Sequence, residues 1–200
     1  MPLLKGIPEC SLRKTTDNSL VHLLEDNKEL EDKLQNKHLP DITYTSIDIP
    51  GTSFKAPVKI MTPPNISSNS LYPVVVYVYG GPGSQTVSNY WSIGGWEDYL
   101  VTSRNVVYVL MDVRGTGFQS NEFLFSVYRR LGTVEMEDQI AVTRKLVSQY
   151  HYMDPDRVAI WGKSYGGYNA AMTLERDVED PVFKCGISGV ALDNRFHMHD

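Results

Sequence analysis

The segment Val158-Ala159-Ile160-Trp161-Gly162-Lys163-Ser164-Tyr165-Gly166-Gly167-Tyr168 decides the fold of this chain. The apolar run from Val158 to Trp161 predicts a buried strand, and the later stretch from Asn169 to Leu174 predicts a helix. Between them, Ser164 is the central residue of a G-x-S-x-G pattern. A strand, a tight G-x-S-x-G turn and a helix in succession are typical of a nucleophile elbow.

The residues beside Ser164 suit this chemistry. A strand and a helix that meet at a sharp turn leave no room for bulky side chains, and Gly162 and Gly166 supply none. The Ser164 hydroxyl is expected at the carboxyl edge of a sheet. The amide of Tyr165, at a helix N-terminus, could donate to a developing oxyanion. The alternative is an ordinary strand-to-helix turn with a surface serine; the preceding strand and the Gly166-Gly167 pair favour the elbow.

The composition argues against several classes of protein. The 200 residues are 42% hydrophobic, which is enough for a substantial core in one domain. The formal net charge is −5 and no Lys/Arg-rich block occurs, so no nucleic-acid partner is expected. The longest apolar runs are too short to cross a membrane, and Met1 to Gly6 does not resemble a signal peptide. No cofactor or metal site is indicated.

The order of elements predicts an α/β fold. Ile42 to Ile49 alternates in polarity and predicts a strand that pairs antiparallel with Val58 to Met61. Continuous apolar runs predict buried parallel strands, and helices separate them. The fold class is therefore a doubly wound, mostly parallel sheet with an antiparallel N-terminal pair. The further predicted elements are an amphipathic helix (Leu23 to Gln35), strands (Pro73 to Tyr79, Asn105 to Asp112, Val182 to Ala191), helices (Trp96 to Ser103, and from a Thr133 cap to about Tyr150) and a turn (Asp154 to Arg157).

Three local features are chemically suggestive on their own. The two cysteines, Cys10 and Cys185, form no disulfide framework, and the apolar surroundings of Cys185 predict a buried thiol. Asn65-Ile66-Ser67 is a candidate glycosylation sequon if the chain is secreted. The glycine-rich turn Tyr79 to Ser84 lacks the Lys-Ser/Thr ending of a phosphate-binding loop.

Five motifs follow one another along the chain: Tyr79-Gly80-Gly81-Pro82-Gly83-Ser84-Gln85, Asp112-Val113-Arg114-Gly115-Thr116-Gly117, Arg129-Arg130-Leu131-Gly132, Glu137-Asp138-Gln139 and the elbow itself. Together they resemble the dipeptidyl peptidase IV branch of the prolyl oligopeptidase family. The resemblance covers nearly the whole chain, and its Glu-Asp-Gln and Arg-Arg-Leu-Gly motifs are more specific than the elbow.

The resemblance implies a β-propeller followed by an α/β-hydrolase domain, and release of N-terminal dipeptides that carry Pro or Ala in second position. It implies that Ser164 is the nucleophile and that Tyr79 is the second oxyanion donor. Tyr165 would line the oxyanion hole with its amide and the substrate pocket with its ring. Cys185 matches a cysteine that, in the family, forms a disulfide with a second cysteine near the C-terminus. The implied partner is a peptide with penultimate Pro or Ala.

The chain departs from the family pattern at three points. Lys163 stands where active members usually have Trp and resembles the dipeptidyl-peptidase-like proteins that accompany potassium channels, but those have lost the serine. Phe196 and His199 fall where the family has aromatic pocket residues, with one extra residue near Gly189. The chain also ends early by the family pattern. Only His197 and His199 follow Ser164, and both come too soon after it to match the family's catalytic base.

We therefore expect a fragment. Residues 1–35 are interpreted as the remnant of a propeller exit or linker, and residues 36–200 as a partial α/β-hydrolase domain truncated before its last strands, without the catalytic Asp and His. The family is often homodimeric and extracellular or at the plasma membrane; no membrane anchor is expected in this chain.

Two other functions stay open. A non-catalytic, dipeptidyl-peptidase-like binding protein is suggested by Lys163 and by the missing Asp and His. A carboxylesterase would share the elbow but gives no reason for Glu137-Asp138-Gln139. The presence of an Asp and a His at family spacing after Ser164 would discriminate the peptidase from the binding protein.

Overall fold

The computed structural model describes residues 7–67 and 69–189. Its elements, in chain order, are β1 (Cys10–Arg13), β2 (Leu20–Glu25), α1 (Lys28–Leu34), β3 (Asp41–Asp48), β4 (Lys55–Thr62), β5 (Tyr72–Val78), α2 (Trp96–Arg104), β6 (Val107–Met111), α3 (Asn121–Phe125), α4 (Val134–Gln149), β7 (Met153–Lys163), α5 (Tyr165–Arg176) and β8 (Cys185–Gly189).

In the part of the chain that the structure describes, the main sheet has six strands in the order β3-β4-β6-β5-β7-β8. The pairs β3–β4 and β4–β6 are antiparallel. The pairs β5–β6, β5–β7 and β7–β8 are parallel. The predicted fold class is confirmed: this is an α/β-hydrolase sheet, mostly parallel, that begins with an antiparallel pair.

The central strands are covered on both faces, fully on one and in part on the other, which explains their continuous apolar sequence. In β5, Val74, Val76 and Val78 join the larger core together with residues of α4 and α5. The intervening Val75 and Tyr77 pack on the opposite face, in a smaller cluster that includes Val101 of α2. Successive side chains of a strand point to opposite faces, so helices on both sides are needed to cover such a strand.

The prediction of a helix from Leu23 to Gln35 is wrong in its first part. Leu20–Glu25 forms a strand that pairs antiparallel with Cys10–Arg13, and the helix covers only Lys28–Leu34. Asn27 lies between them in the left-handed conformation, with φ 51°. The leucine spacing fits a helix locally, but the pairing with β1 depends on residues earlier in the chain and overrides it.

One prediction at the start of the elbow strand also needs correction. Asp154 to Arg157, predicted as a turn, lies within β7, where the pairing with β5 jumps from Tyr72↔Met153 to Val74↔Val158. The Asp154 carboxylate accepts hydrogen bonds from the Asp156 amide and from Arg157 Nε at 2.9 and 2.6 Å. This stretch is therefore a bulge inside the strand rather than a turn before it.

The last described strand begins later than predicted, and its cysteine is not buried. It covers Cys185–Gly189, whereas Val182 and Phe183 are buried in the approach to it; Ala191 lies outside the described residues. Cys185, predicted to be buried, is exposed and carries a free thiol. Within residues 7–67 and 69–189, β8 pairs only with β7, so its apolar sequence does not become interior.

A buried ion pair ties the loop after β6 to α4. Arg114 donates from Nε to Asp138 Oδ2 at 2.8 Å and from a terminal nitrogen to Oδ1 at 2.6 Å. The Asp138 side chain is 2% exposed, and its hydrogen bonds hold the pKa of the Arg114 guanidinium above its usual value. A bidentate pair of this kind fixes both the position and the orientation of the loop.

Replacing Asp138 tests how much this tie contributes. Asp138→Asn should lower the free energy of unfolding by about 3 kcal/mol, because it leaves a largely buried guanidinium without its counter-charge. Urea denaturation followed by tryptophan fluorescence would measure the loss. Glu137→Gln, at the exposed neighbouring carboxylate, is the matched control and should change stability by less than about 0.5 kcal/mol. Equal effects of the two substitutions would contradict the assignment.

Candidate active site

Ser164 occupies a strained position between β7 and α5. Its backbone has φ 59° and ψ −125°, a left-handed region that is unfavourable for residues with a side chain. Its amide donates to the Gly189 carbonyl at 2.9 Å, and its carbonyl accepts from the Gly167 amide at 2.9 Å. The side chain is half-buried. The predicted strand, tight turn and helix around Ser164 are all present.

The glycines on either side of Ser164 allow the strand and the helix to approach each other. A Cβ at Gly162 would lie 2.5 Å from the Val78 carbonyl oxygen and would also collide with the Gly166 carbonyl. A Cβ at Gly166 would collide with the same Val78 carbonyl and lie 3.0 Å from Tyr79 Cα. Backbone atoms cannot move away as a flexible side chain could, so the turn requires glycine at both positions.

The two residues that carry the candidate oxyanion donors, Tyr79 and Tyr165, are neighbours in the fold. Tyr165 is the first residue of α5, so its amide has no partner within the helix and lies at the positive end of the helix dipole. Tyr79 follows directly after β5, and its ring centroid is 6.4 Å from that of Tyr165. The sheet pairing of β5 with β7 brings these residues together, although they are far apart in the sequence.

The glycine-rich turn after Tyr79 packs on the loop that follows β6. The Gly83 amide donates to Gly115 O at 2.9 Å, and the Gly117 amide donates to Ser84 O at 2.8 Å. A Cβ at Gly117 would lie 2.5 Å from Gly83 O. The two loops therefore form one unit, and the Arg114–Asp138 pair fixes this unit to α4.

A buried carboxylate extends the same bracing. Asp112 accepts hydrogen bonds from the Thr86 and Val87 amides at 2.8 and 2.7 Å. Burial raises the pKa of Asp112, and these amide hydrogen bonds offset part of the increase. The segment after the glycine-rich turn is thus held to the end of β6.

Sequence reasoning missed the role of Glu135. Thr133 is the residue before α4, as predicted, but its hydroxyl donates back to Arg130 O and caps nothing in the helix. The fully buried Glu135 carboxylate instead accepts the amides of Gly132 and Thr133 at 2.6 and 3.1 Å. Glu135 also accepts a hydrogen bond from the Tyr165 hydroxyl at 3.1 Å. An acidic residue in a helical first turn was the only signal in the sequence.

The remaining candidate residues are placed as follows. Phe196 and His199, predicted for the substrate pocket, lie outside the described residues. Lys163 is exposed. Asn65 is exposed in the loop between β4 and β5, with φ 60°. Across residues 7–67 and 69–189, no group of three His, Cys, Asp or Glu residues could hold a metal ion.

Alanine at Gly166 tests the close approach of helix and strand. Gly166→Ala should destabilise this chain by more than about 3 kcal/mol, because the new methyl group collides with the backbone. Gly51, with φ 72°, has nothing within 4 Å of a Cβ. Gly51→Ala should therefore cost only about 1 kcal/mol for its left-handed backbone. Urea midpoints of the two variants would measure the difference; a Gly166→Ala midpoint equal to that of Gly51→Ala would contradict the account.

Comparison with known proteins places this chain in a family. Residues 91–200 match the prolyl oligopeptidase family. The chain is 38% identical over 183 residues to prolyl endopeptidase FAP of Mus musculus, covering 92% of this chain and 23% of that protein. It is 41% identical over 168 residues to venom dipeptidyl peptidase 4 of Apis mellifera, covering 84% of this chain and 21% of that protein.

A solved structure agrees. Dipeptidyl peptidase 4 of Porphyromonas gingivalis superposes with a TM-score of 0.81 at 33% identity, over 90% of this chain and 25% of that one. The chain therefore spans about a quarter of the length of these relatives. Because the family match at residues 91–200 covers more than half of the chain, the chain belongs to the prolyl oligopeptidase family.

Proposed function

We propose that this chain is part of a serine peptidase that releases N-terminal dipeptides with Pro or Ala in second position, through an acyl-enzyme on Ser164. The observation that carries the proposal is the strained conformation of Ser164 between two obligatory glycines. The names of two relatives, both dipeptidyl peptidase 4, supply the expected reaction.

The proposed reaction begins when a base removes the Ser164 proton and the oxygen attacks the carbonyl carbon of the second residue. The Tyr165 amide and the Tyr79 hydroxyl donate to the oxyanion that forms. The bond to the leaving amine then breaks, the amine takes the proton from the base, and water later releases the dipeptide. The family places an Asp and a His after the serine; no residue of this chain is assigned to either role.

The substrate side of the site is proposed by the same resemblance. Tyr165 is 8% exposed, and its ring would form one wall of the pocket for the Pro or Ala side chain. Phe196 and His199 are proposed as further pocket residues. A small, mostly apolar pocket of this kind would favour a compact second residue over a large one.

Lys163 favours a second candidate function. Its exposed side chain stands directly before Ser164, at a position where non-catalytic relatives that accompany potassium channels carry the same residue. In that case the fold would serve as a binding domain and Ser164 would be chemically silent. Turnover by the complete protein distinguishes the two functions.

The complete protein, meaning the product that carries this chain with the family's Asp and His, should hydrolyse a Gly-Pro amide chromophore. Ser164→Ala should abolish turnover, because alanine has no oxygen that could form the acyl-enzyme. Tyr79→Phe should lower kcat about 10²- to 10³-fold, the loss typical of one oxyanion donor. Steady-state kinetics would measure both effects.

Tyr99→Phe serves as the control, because Tyr99 lies on α2 and is 52% exposed; its turnover should equal that of the wild type. Turnover by Ser164→Ala would overturn the assignment of the nucleophile. A complete protein that is well folded but inert would instead support the binding function.

We further propose an extracellular or plasma-membrane location and, as in much of the family, a homodimer. Curated relatives include a venom enzyme. None of the described helices is long and apolar enough to cross a membrane. The exposed Asn65 in its loop is accessible for N-glycosylation during secretion.

Secretion would therefore be expected to leave a glycan on Asn65. In protein made through a eukaryotic secretory pathway, Asn65→Gln and Ser67→Ala should each remove one glycan, because both destroy the sequon. Gel mobility before and after glycosidase treatment would measure the change. Asn69→Gln, in the same loop but outside a sequon, should leave the glycan in place. An unmodified Asn65 in the secreted wild type would contradict the proposal.

A further inference from the structure

The Glu135 carboxylate contacts both the start of α4 and the candidate active site. It is 0% exposed and lies at the beginning of the helix. Oε1 accepts from the Gly132 amide at 2.6 Å and from the Tyr165 hydroxyl at 3.1 Å, while Oε2 accepts from the Thr133 amide at 3.1 Å. A buried carboxylate with several donors is well stabilised and holds each donor firmly.

Tyr165 is held at both ends. At one end its backbone begins α5 directly after Ser164, where its amide is the candidate oxyanion donor. At the other end its hydroxyl is bound by Glu135. Between them, the ring packs edge-on against Tyr168 at 5.6 Å and near Tyr79 at 6.4 Å. The ring therefore acts as a rigid connection from α4 to the turn that carries Ser164.

The surroundings of this connection are closely packed. Gly132 has φ 80°, and a Cβ there would collide with the Tyr168 hydroxyl. Burial and the nearby Glu135 charge raise the pKa of both Tyr165 and Tyr168. These hydroxyls therefore stay protonated over the working pH range of a peptidase, and Tyr165 remains a donor to Glu135.

We propose that Glu135 is a positioning residue for catalysis, which fixes the Tyr165 amide and ring through the Tyr165 hydroxyl. The inference rests on the proposed peptidase function. Oxyanion donors lose much of their effect when they are misplaced by a fraction of an ångström to an ångström. Glu135 would thus act through Tyr165 without touching the substrate.

A double-mutant cycle in the complete protein separates this role from a purely structural one. Tyr165→Phe removes only the hydroxyl and leaves the amide and the Glu135 contacts to α4. It should lower kcat about 10-fold or more, with a smaller change in KM, because the oxyanion contact is made in the transition state. Glu135→Gln should lower kcat by a similar factor.

The double variant is decisive. If Glu135 acts through Tyr165, Glu135→Gln should lower kcat little further in the Tyr165→Phe background. The loss of stability caused by Glu135→Gln should persist in the Tyr165→Phe background, because the Gly132 and Thr133 amides still lose their carboxylate partner. Glu137→Gln, an exposed carboxylate in the same helical turn, should leave kcat unchanged. Provided that the wild type is active, two results would overturn the inference. One is a kcat of Tyr165→Phe equal to that of the wild type. The other is a loss of kcat in the double variant equal to the product of the two single losses.

A second readout does not depend on activity. With 3-fluorotyrosine at position 165, ¹⁹F NMR at neutral pH reports on the surroundings of that hydroxyl. Because Glu135 Oε1 accepts the hydrogen bond of the Tyr165 hydroxyl at 3.1 Å, Glu135→Gln should shift the resonance, whereas Glu137→Gln should not. Equal spectra of the wild type and Glu135→Gln would overturn the contact itself. An inert wild type would refute the proposed function and the catalytic role together, whatever the spectra show.

Discussion

The approach of α5 and β7 to the end of β5 is the constraint on which the candidate site depends. The Val78 carbonyl lies where a Cβ of either Gly162 or Gly166 would stand. With hydrogen atoms at these two positions, the helix can begin directly against the neighbouring strand. The consequence is that Ser164 takes up a strained backbone and that Tyr79, the residue after Val78, comes beside Tyr165.

Around this contact, buried carboxylates organise the loops at the same edge of the sheet. Asp112 binds the segment after the glycine-rich turn, Asp138 binds Arg114, and Glu135 binds the approach to α4. Each carboxylate is nearly or fully buried and accepts at least two hydrogen bonds, so the cost of removing its charge from water is offset by strong donors. The family motif Glu137-Asp138-Gln139 thus has a physical reason at its central residue.

The features predicted from the sequence are those that local chemistry determines. Continuous apolar runs predicted the central strands, which are covered on both faces, and the glycine spacing around Ser164 predicted the elbow. The β2 strand and the exposure of Cys185 could not be predicted, because they depend on which segment pairs with which. Glu135 was missed since its partner, Tyr165, is 30 residues away. The catalytic roles of Ser164, Tyr79 and Tyr165 stay predictions, and Phe196 and His199 lie outside the described residues.

The most direct test of the account is to locate the reactive residue chemically. The complete protein would be treated with a fluorophosphonate and digested with trypsin, which cleaves after Lys163 and Arg176 and so isolates residues 164–176. Mass spectrometry should find the phosphonate on Ser164, with loss of turnover in proportion to labelling. Inactivation with the label on another residue, or an active enzyme in which residues 164–176 stay unmodified, would contradict the claim that this elbow presents the nucleophile.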